Sequence, residues 1–178
     1  RTSGELISFT DFAPTYYAAA GIQPPATLAG SSLLPLLCDN KPLNRPFVLA
    51  GRERHSHARA NLLGYPARAL RNRHYLYVRN FAADRWPAGD PPKYYDVDDG
   101  PTHRLMLARQ ADPAIQPFFT AAYGKHPAEE LFDIRTDPAC LKNIAREPRI
   151  RGILAELRRS LTARLKAQAD PRLGPNPN

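Results

Sequence analysis

The chain has 178 residues, 43% of them hydrophobic and 24% charged, with a formal net charge of +8. That suits one ordinary domain, or a small domain with an appendage, and excludes a disordered tail. No apolar run approaches the roughly 20 residues of a membrane span, and two cysteines exclude both a disulfide framework and a zinc site built mainly of thiolates.

Five of the 25 basic residues are lysine, which leaves 20 arginines. A guanidinium grips carboxylate, phosphate or sulfate with two prongs, so a polyanionic partner is one reading. A compositional preference for Arg is the plainer one. The 19 prolines predict many ordered loops and few long elements. The opening Arg1-Thr2-Ser3-Gly4-Glu5 lacks a Met and an apolar h-region, so no signal peptide is expected and the chain reads as cut from something longer.

Residues 10–20 predict a short helix, capped by Thr10 or Asp11, with Pro14 in its first turn and Gly21 closing it. Residues 28–37 read as an apolar loop or turn, and residues 39–46 as polar loop. Phe47-Val48-Leu49-Ala50-Gly51 is a short buried-strand candidate. Residues 67–71 and 74–80 predict a hairpin turned at Asn72-Arg73. In its second strand Tyr75, Tyr77 and Arg79 alternate with Leu76, Val78 and Asn80, the period of a half-buried strand.

Residues 81–127 read as a long insertion with helices near 102–111 and 114–123; a stretch this long is usually functional or packed on a neighbour. Residues 130–134 predict another strand. Ile150, Ile153, Leu154, Leu157, Leu161 and Leu165 then form one apolar stripe, opposite Arg151, Arg158, Arg159 and Lys166, which predicts a long final helix ended by Asp170-Pro171. The fold class expected is α+β: a small antiparallel sheet of about four strands packed against that helix.

Three segments resemble one family. Ser8, Asp11, Pro14 and Thr15, followed by Ala20-Gly21-Ile22, resemble the sulfatase pattern S-x-x-D-x-x-P-T…A-G-I. Glu130-Leu131-Phe132-Asp133-Ile134, Asp137-Pro138 and Asn143-Ile144-Ala145 resemble E-L-Y-D-L-x-x-D-P-x-E-x-x-N-L-A, a pattern near the sulfatase C-terminus. Cys140-Leu141 departs from it where an acidic residue is common. Between them, Tyr65 to Arg71 and His74 to Asn80 are similar to the heparan N-sulfatase (sulfamidase) branch. The resemblance implies the C-terminal part of a sulfatase. On that basis residues 1–60 are the edge of a large α/β domain, residues 61–170 the C-terminal subdomain with the insertion at 81–127, and residues 171–178 a flexible tail. It implies an apolar surface left exposed on the isolated chain, and a periplasmic or secreted location.

Hydrolysis of a sulfate ester or sulfamate needs an activated nucleophile and a divalent cation. The family nucleophile is a formylglycine made in C/S-x-P-S-R, and neither Cys38-Asp39-Asn40-Lys41 nor Cys140-Leu141-Lys142-Asn143 matches it. Both cysteines read as free thiols. The family's calcium takes paired aspartates; Asp98-Asp99 is the only pair, and it reads as a solvated turn. Asp96, Asp98 and Gly100 faintly resemble an EF-hand loop, but Leu107 stands at its twelfth position. Formylglycine and calcium are therefore expected on the missing N-terminal domain, which would be this chain's partner. The chain alone is expected to be inactive, with no catalytic or metal-binding residue.

Arg52-Glu53-Arg54-His55-Ser56-His57-Ala58-Arg59 is the densest polar cluster and follows a strand. Ligands usually bind at strand ends of an α/β sheet, and the resemblance places this segment near the active-site rim. Arg54, His55 and His57 are the substrate-binding candidates, toward a sulfated glycan or another sulfate ester; an exposed charged loop is the plain alternative. Trp86, Tyr94 and Tyr95 could stack on sugar rings or pack beneath the insertion. The competing function is a polyanion or nucleic-acid module, with nine arginines over residues 45–85 interleaved with Tyr65, Tyr75, Tyr77 and Phe81. A ligand-free scaffold is the third.

Overall fold

Ser8 starts the first helical segment with reciprocal caps. Its side chain accepts from Thr10 N, while Asp11 Oδ2 accepts from Ser8 N at 2.8 Å. These two bonds produce a single 3-10 turn, Phe9–Asp11, and the helix proper, α1, runs Phe12–Ala19. Asp11 does stand at the N-cap of α1, as the sequence suggests, but the side-chain cap bonds are made one turn earlier, at Ser8. The computed structural model describes residues 2–174; the last four residues of the expected tail lie outside the described residues. The chain divides into two compact units, Arg1–Leu49 with Arg71–Arg73, and Ala50–Leu70 with His74–Asn178.

In the first unit the S-x-x-D-x-x-P-T residues each have a bond to make. Asp11 has no exposed surface. Arg45 clamps its carboxylate at 2.6 and 2.9 Å, and Ser31 N donates to Oδ1 at 3.0 Å. Burial pushes the Asp11 carboxyl up, but Arg45 and the two backbone donors outweigh it and hold it below its ordinary value. Thr15 Oγ1 donates to Asp11 O at 2.6 Å and accepts from Leu33 N at 2.8 Å. Gly30 sits in the left-handed region, and a Cβ there would lie 2.2 Å from Thr10 O, so no other residue fits. Residues 34–39, all but Cys38 expected as loop or turn, form a second helix, α2 (Leu34–Asp39), with Pro35 in its first turn and Asn40 as its left-handed cap. Six residues are too few for a helical period to show in the sequence. Phe9 and Tyr16 stay largely exposed, 88% and 69%, and Phe12 stacks edge-on to Phe9 at 5.4 Å.

Four strands, β1 (Val48–Arg52), β2 (Ala67–Arg71), β3 (Tyr75–Asn80) and β4 (Glu129–Asp133), form an antiparallel sheet in the order β1-β2-β3-β4. β3 and β4 pair with Tyr77 opposite Leu131, and both side chains are fully buried. The final helix, α5 (Arg151–Ala167), lies against β3. It buries Leu154, Leu157, Leu161 and Leu165, four members of the apolar stripe. The fold class is therefore the expected α+β sheet on a long C-terminal helix.

The second motif closes the path from β4 to α5. Asn143 Oδ1 accepts from Leu131 N and Ala145 N, both at 3.0 Å, and Ile144 N donates to Leu131 O at 2.8 Å. Asp137 receives Leu141 N and Lys142 N. Cys140 takes a left-handed conformation in that turn. The insertion carries α3 (Pro101–Ala108) and α4 (Gln116–Tyr123). They close over a core of Ala88, Tyr94 and Tyr123, with Trp86, Met106, Leu107 and Phe119 packed on it. Tyr94 meets Tyr123 edge-on at 5.1 Å, and Tyr123 stacks on Phe119 at 4.9 Å.

Leu161 is 1% exposed in the centre of the α5 stripe. Leu161→Ala should lower unfolding free energy by about 2–5 kcal/mol through the lost burial and the cavity left behind. Arg159→Ala on the exposed face should change it by less than about 0.5 kcal/mol. Denaturant titration of both variants checks the contrast.

Candidate functional site

Beyond β1 the chain runs through the arginine–histidine segment, and its geometry is set by one buried carboxylate from the insertion. The Asp96 side chain has no exposed surface. Its Oδ2 lies 2.7 Å from Arg52 Nη2 and 2.8 Å from Arg59 Nη2. Its Oδ1 lies 3.2 Å from His55 Nδ1 and accepts Ser56 Oγ at 3.2 Å. Burial pushes the Asp96 carboxyl up; the close Arg59 contact and the charges of Arg52 and Arg59 outweigh it, with the Ser56 hydrogen bond assisting, and hold the group below its ordinary value.

Arg59 is buried with it. Its Nε donates to Trp86 O at 2.8 Å and Nη2 to Pro87 O at 2.6 Å, and its guanidinium lies 5.7 Å from the Tyr65 ring centroid. Burial pushes the Tyr65 phenol up to about 12, the charge of Glu130 adding to it, so the ring is a neutral wall. The backbones interlock as well. Asp90 N donates to Ala58 O at 2.9 Å, and Ala60 N donates to Asp90 Oδ2 at 2.8 Å. Gly89 is left-handed, and a Cβ there would come within 2.9 Å of Ala58 Cβ and 3.0 Å of Tyr95 N. The close approach of the insertion to residues 55–60 therefore requires glycine.

His55 extends from this clamp with its side chain 64% exposed. Arg54 and His57 are exposed too, and Arg54 Nη1 donates to Leu62 O at 3.2 Å. The three candidates share one loop, but His55 is the one fixed to a buried group. Glu53 turns away to Arg68 and Arg172, and Arg68 Nε also holds Asp170 at 2.7 Å. Of the aromatic candidates, Trp86 and Tyr94 belong to the insertion core. Tyr95 remains 62% exposed, with Lys93 Nζ 5.2 Å from its ring centroid and its carbonyl accepting Ser56 Oγ. Asp96 and Arg59, the two residues that organise the loop, carry no sequence signal for that role. Asp96 sits in a run of acidic residues and meets His55 across 41 positions.

The arginines of residues 45–85 do not make a free basic face. Arg45, Arg68 and Arg73 are each ion-paired to a carboxylate, Arg52 and Arg59 share Asp96, and Arg85 donates to Gly64 O. The nucleic-acid reading is not favoured, because a guanidinium neutralised within the fold releases no counterions from a phosphate backbone. Among the described residues no group of three or more His, Cys, Asp or Glu could hold a metal ion. Asp99 is paired to Arg104 and Asp96 to arginines, so the residues present do not fit the calcium that the family implies. Cys38 and Cys140 are free. No helix among the described residues is long and apolar enough to cross a membrane.

No family model matches the chain. An ulvan-active sulfatase of Formosa agariphila is 28% identical over 173 residues, which is 95% of this chain and 30% of that protein. The structure of a 2-O GAG sulfatase matches with a TM-score of 0.61 and 25% identity, over 96% of this chain and 27% of that one. A third structure, solved with its substrate D-glucosamine-2-N,6-O-disulfate, shares the fold at a TM-score of 0.55 and 18% identity, over 92% of this chain and 25% of that one. The chain thus spans under a third of the length of each of these three proteins.

The depressed Asp96 carboxyl makes a pH prediction. A group whose folded pKa lies below its usual 3.8 contributes stability that is fully present above that value and is lost as pH falls through the folded one. Asp96→Asn should be less stable than the parent chain at neutral pH, and the gap should close as pH is lowered below 3.8. Denaturation midpoints of the two proteins across pH 2 to 7 (roughly the range in which a carboxylate titrates) measure it.

Proposed function

Since the chain corresponds to the C-terminal part of a sulfatase, we propose that the intact enzyme hydrolyses sulfate esters or N-sulfates of a sulfated glycan, and that this chain builds part of the substrate rim. The observation that carries the reading is the similarity to sulfatases over nearly the whole chain, joined to an exposed Arg–His loop held by a buried carboxylate. The division of labour follows from what the residues can do. The nucleophile and the calcium site belong to the N-terminal domain, the chain's partner, because these residues offer neither. Arg54 and His57 offer donors of the kind that bind a sulfate oxygen or a sugar hydroxyl, and His55 offers an exposed ring nitrogen to a hydroxyl. The exposed Tyr95 ring adds an apolar face of the kind on which a pyranose packs. Ulvan and glucosamine sulfates, acted on by the similar proteins, are the substrate classes to test first.

The test is sulfate release by the complete polypeptide that carries this chain, made in a host that forms formylglycine and supplied with ulvan or heparin oligosaccharides. Sulfate should be released, and none by the 178-residue chain alone. His55→Ala should raise KM about tenfold with kcat nearly unchanged, as expected for loss of one ground-state hydrogen bond to the substrate. No sulfate from any of these glycans or from an aryl sulfate contradicts the reading.

A further inference from the structure

We propose that Arg52 and His55 form a two-point subsite for a sulfated sugar, Arg52 taking the sulfate and His55 the neighbouring hydroxyl, and that Asp96 is the positioning residue for both. The inference rests on the sulfatase reading and names how its substrate is recognised. His55 places Nδ1 against Asp96 Oδ1 at 3.2 Å. A carboxylate can only accept, so Nδ1 carries a proton, and in the neutral form of the ring the lone pair then lies on Nε2. Nε2 is then an acceptor on a ring that is largely exposed, suited to a sugar hydroxyl.

Arg52 Nη2 lies 2.7 Å from Asp96 Oδ2. Its Nε and Nη1 remain as donors, on a side chain 42% exposed. The local charge favours an anion. Asp96 is one negative charge facing two guanidiniums, Arg52 and Arg59, and the nearby Glu53 is matched by Arg68 and Arg172. Arg59 is sealed against Trp86 and Pro87 carbonyls, so Arg52 carries the surplus to the surface. Because Asp96 is immobile, the two side chains are ordered before the ligand arrives, and binding forgoes their rotamer entropy.

The experiment uses long-range 1H–15N spectra of the histidine rings of the 178-residue chain. A heparin-derived disaccharide is titrated, with sodium chloride at matched ionic strength as control. The expected result has three parts. His55 is the Nδ1–H tautomer before any addition. The disaccharide moves His55 while His103, which bonds Tyr123 Oη inside the insertion, stays unmoved. Arg52→Gln weakens binding about tenfold, the usual loss of one charged hydrogen bond.

Asp96→Asn should remove the tautomer preference. Should that variant fail to fold, the exposed changes Arg52→Gln and His55→Ala carry the test. An Nε2–H tautomer for His55, or unchanged affinity in Arg52→Gln, overturns the inference. Sulfate release by the complete enzyme with unchanged KM in Arg52→Gln overturns this inference alone, whereas no sulfate release overturns the sulfatase reading as well.

Discussion

A carboxylate without exposed surface has to be neutralised where it stands, and Asp96 is that constraint here. Its partners come from a different stretch of chain, residues 52–59, so the insertion cannot lift off without leaving a bare charge behind. Arg59 faces the same demand from the other side, being as buried as the carboxylate it binds. The pair sits beneath a loop that would otherwise be a polar connection free to move. Gly89 completes the join by letting two backbones touch. The insertion core of Tyr94, Tyr123 and Phe119 then fixes the stretch from which Asp96 projects.

The same device recurs through the molecule and explains the arginine excess. Asp11 is clamped by Arg45, and Glu53, Arg68, Asp170 and Arg172 form a closed group. In each case the planar guanidinium reaches two or more acceptors at once, which an ammonium does less well. Much of the charge that the composition reports is thus internal scaffolding. At the candidate site the groups left for a ligand are local: the outer edge of the 52–57 loop and the Tyr95 ring beside it. A site made of few exposed groups held by buried ones suits selective recognition of a sulfated sugar better than broad capture of a polyanion.

The sheet hairpin and the α5 stripe were legible because their signals are local: two-residue alternation for β3 and a repeated leucine face for the helix. The long-range part was not. α2 hid in an apolar string too short to show a period, and Asp96 looked like one more acidic loop residue. The family motifs occupy an intermediate position. They were readable as patterns, but why Ser8, Asp11, Thr15 and Asn143 stand where they do emerges only from their bonds to one another and to Leu33 and Leu131. For the candidate site, the sequence picked out the loop and His55. It could not rank His55 above Arg54 and His57, since that ranking depends on a partner 41 positions away.

The account stands or falls on whether Asp96 and Arg59 act as a unit, and a double-mutant cycle measures that directly. Asp96→Asn is expected to cost about 3–5 kcal/mol, because it leaves buried Arg59 without a carboxylate, and Arg59→Met somewhat less, because Asp96 keeps the half-exposed Arg52. The double variant should be no worse than the more damaging single one, giving a coupling energy of several kcal/mol. Additive losses, or singles that cost almost nothing, would show that the two charges do not depend on each other, and the clamp on the loop would be lost from the account.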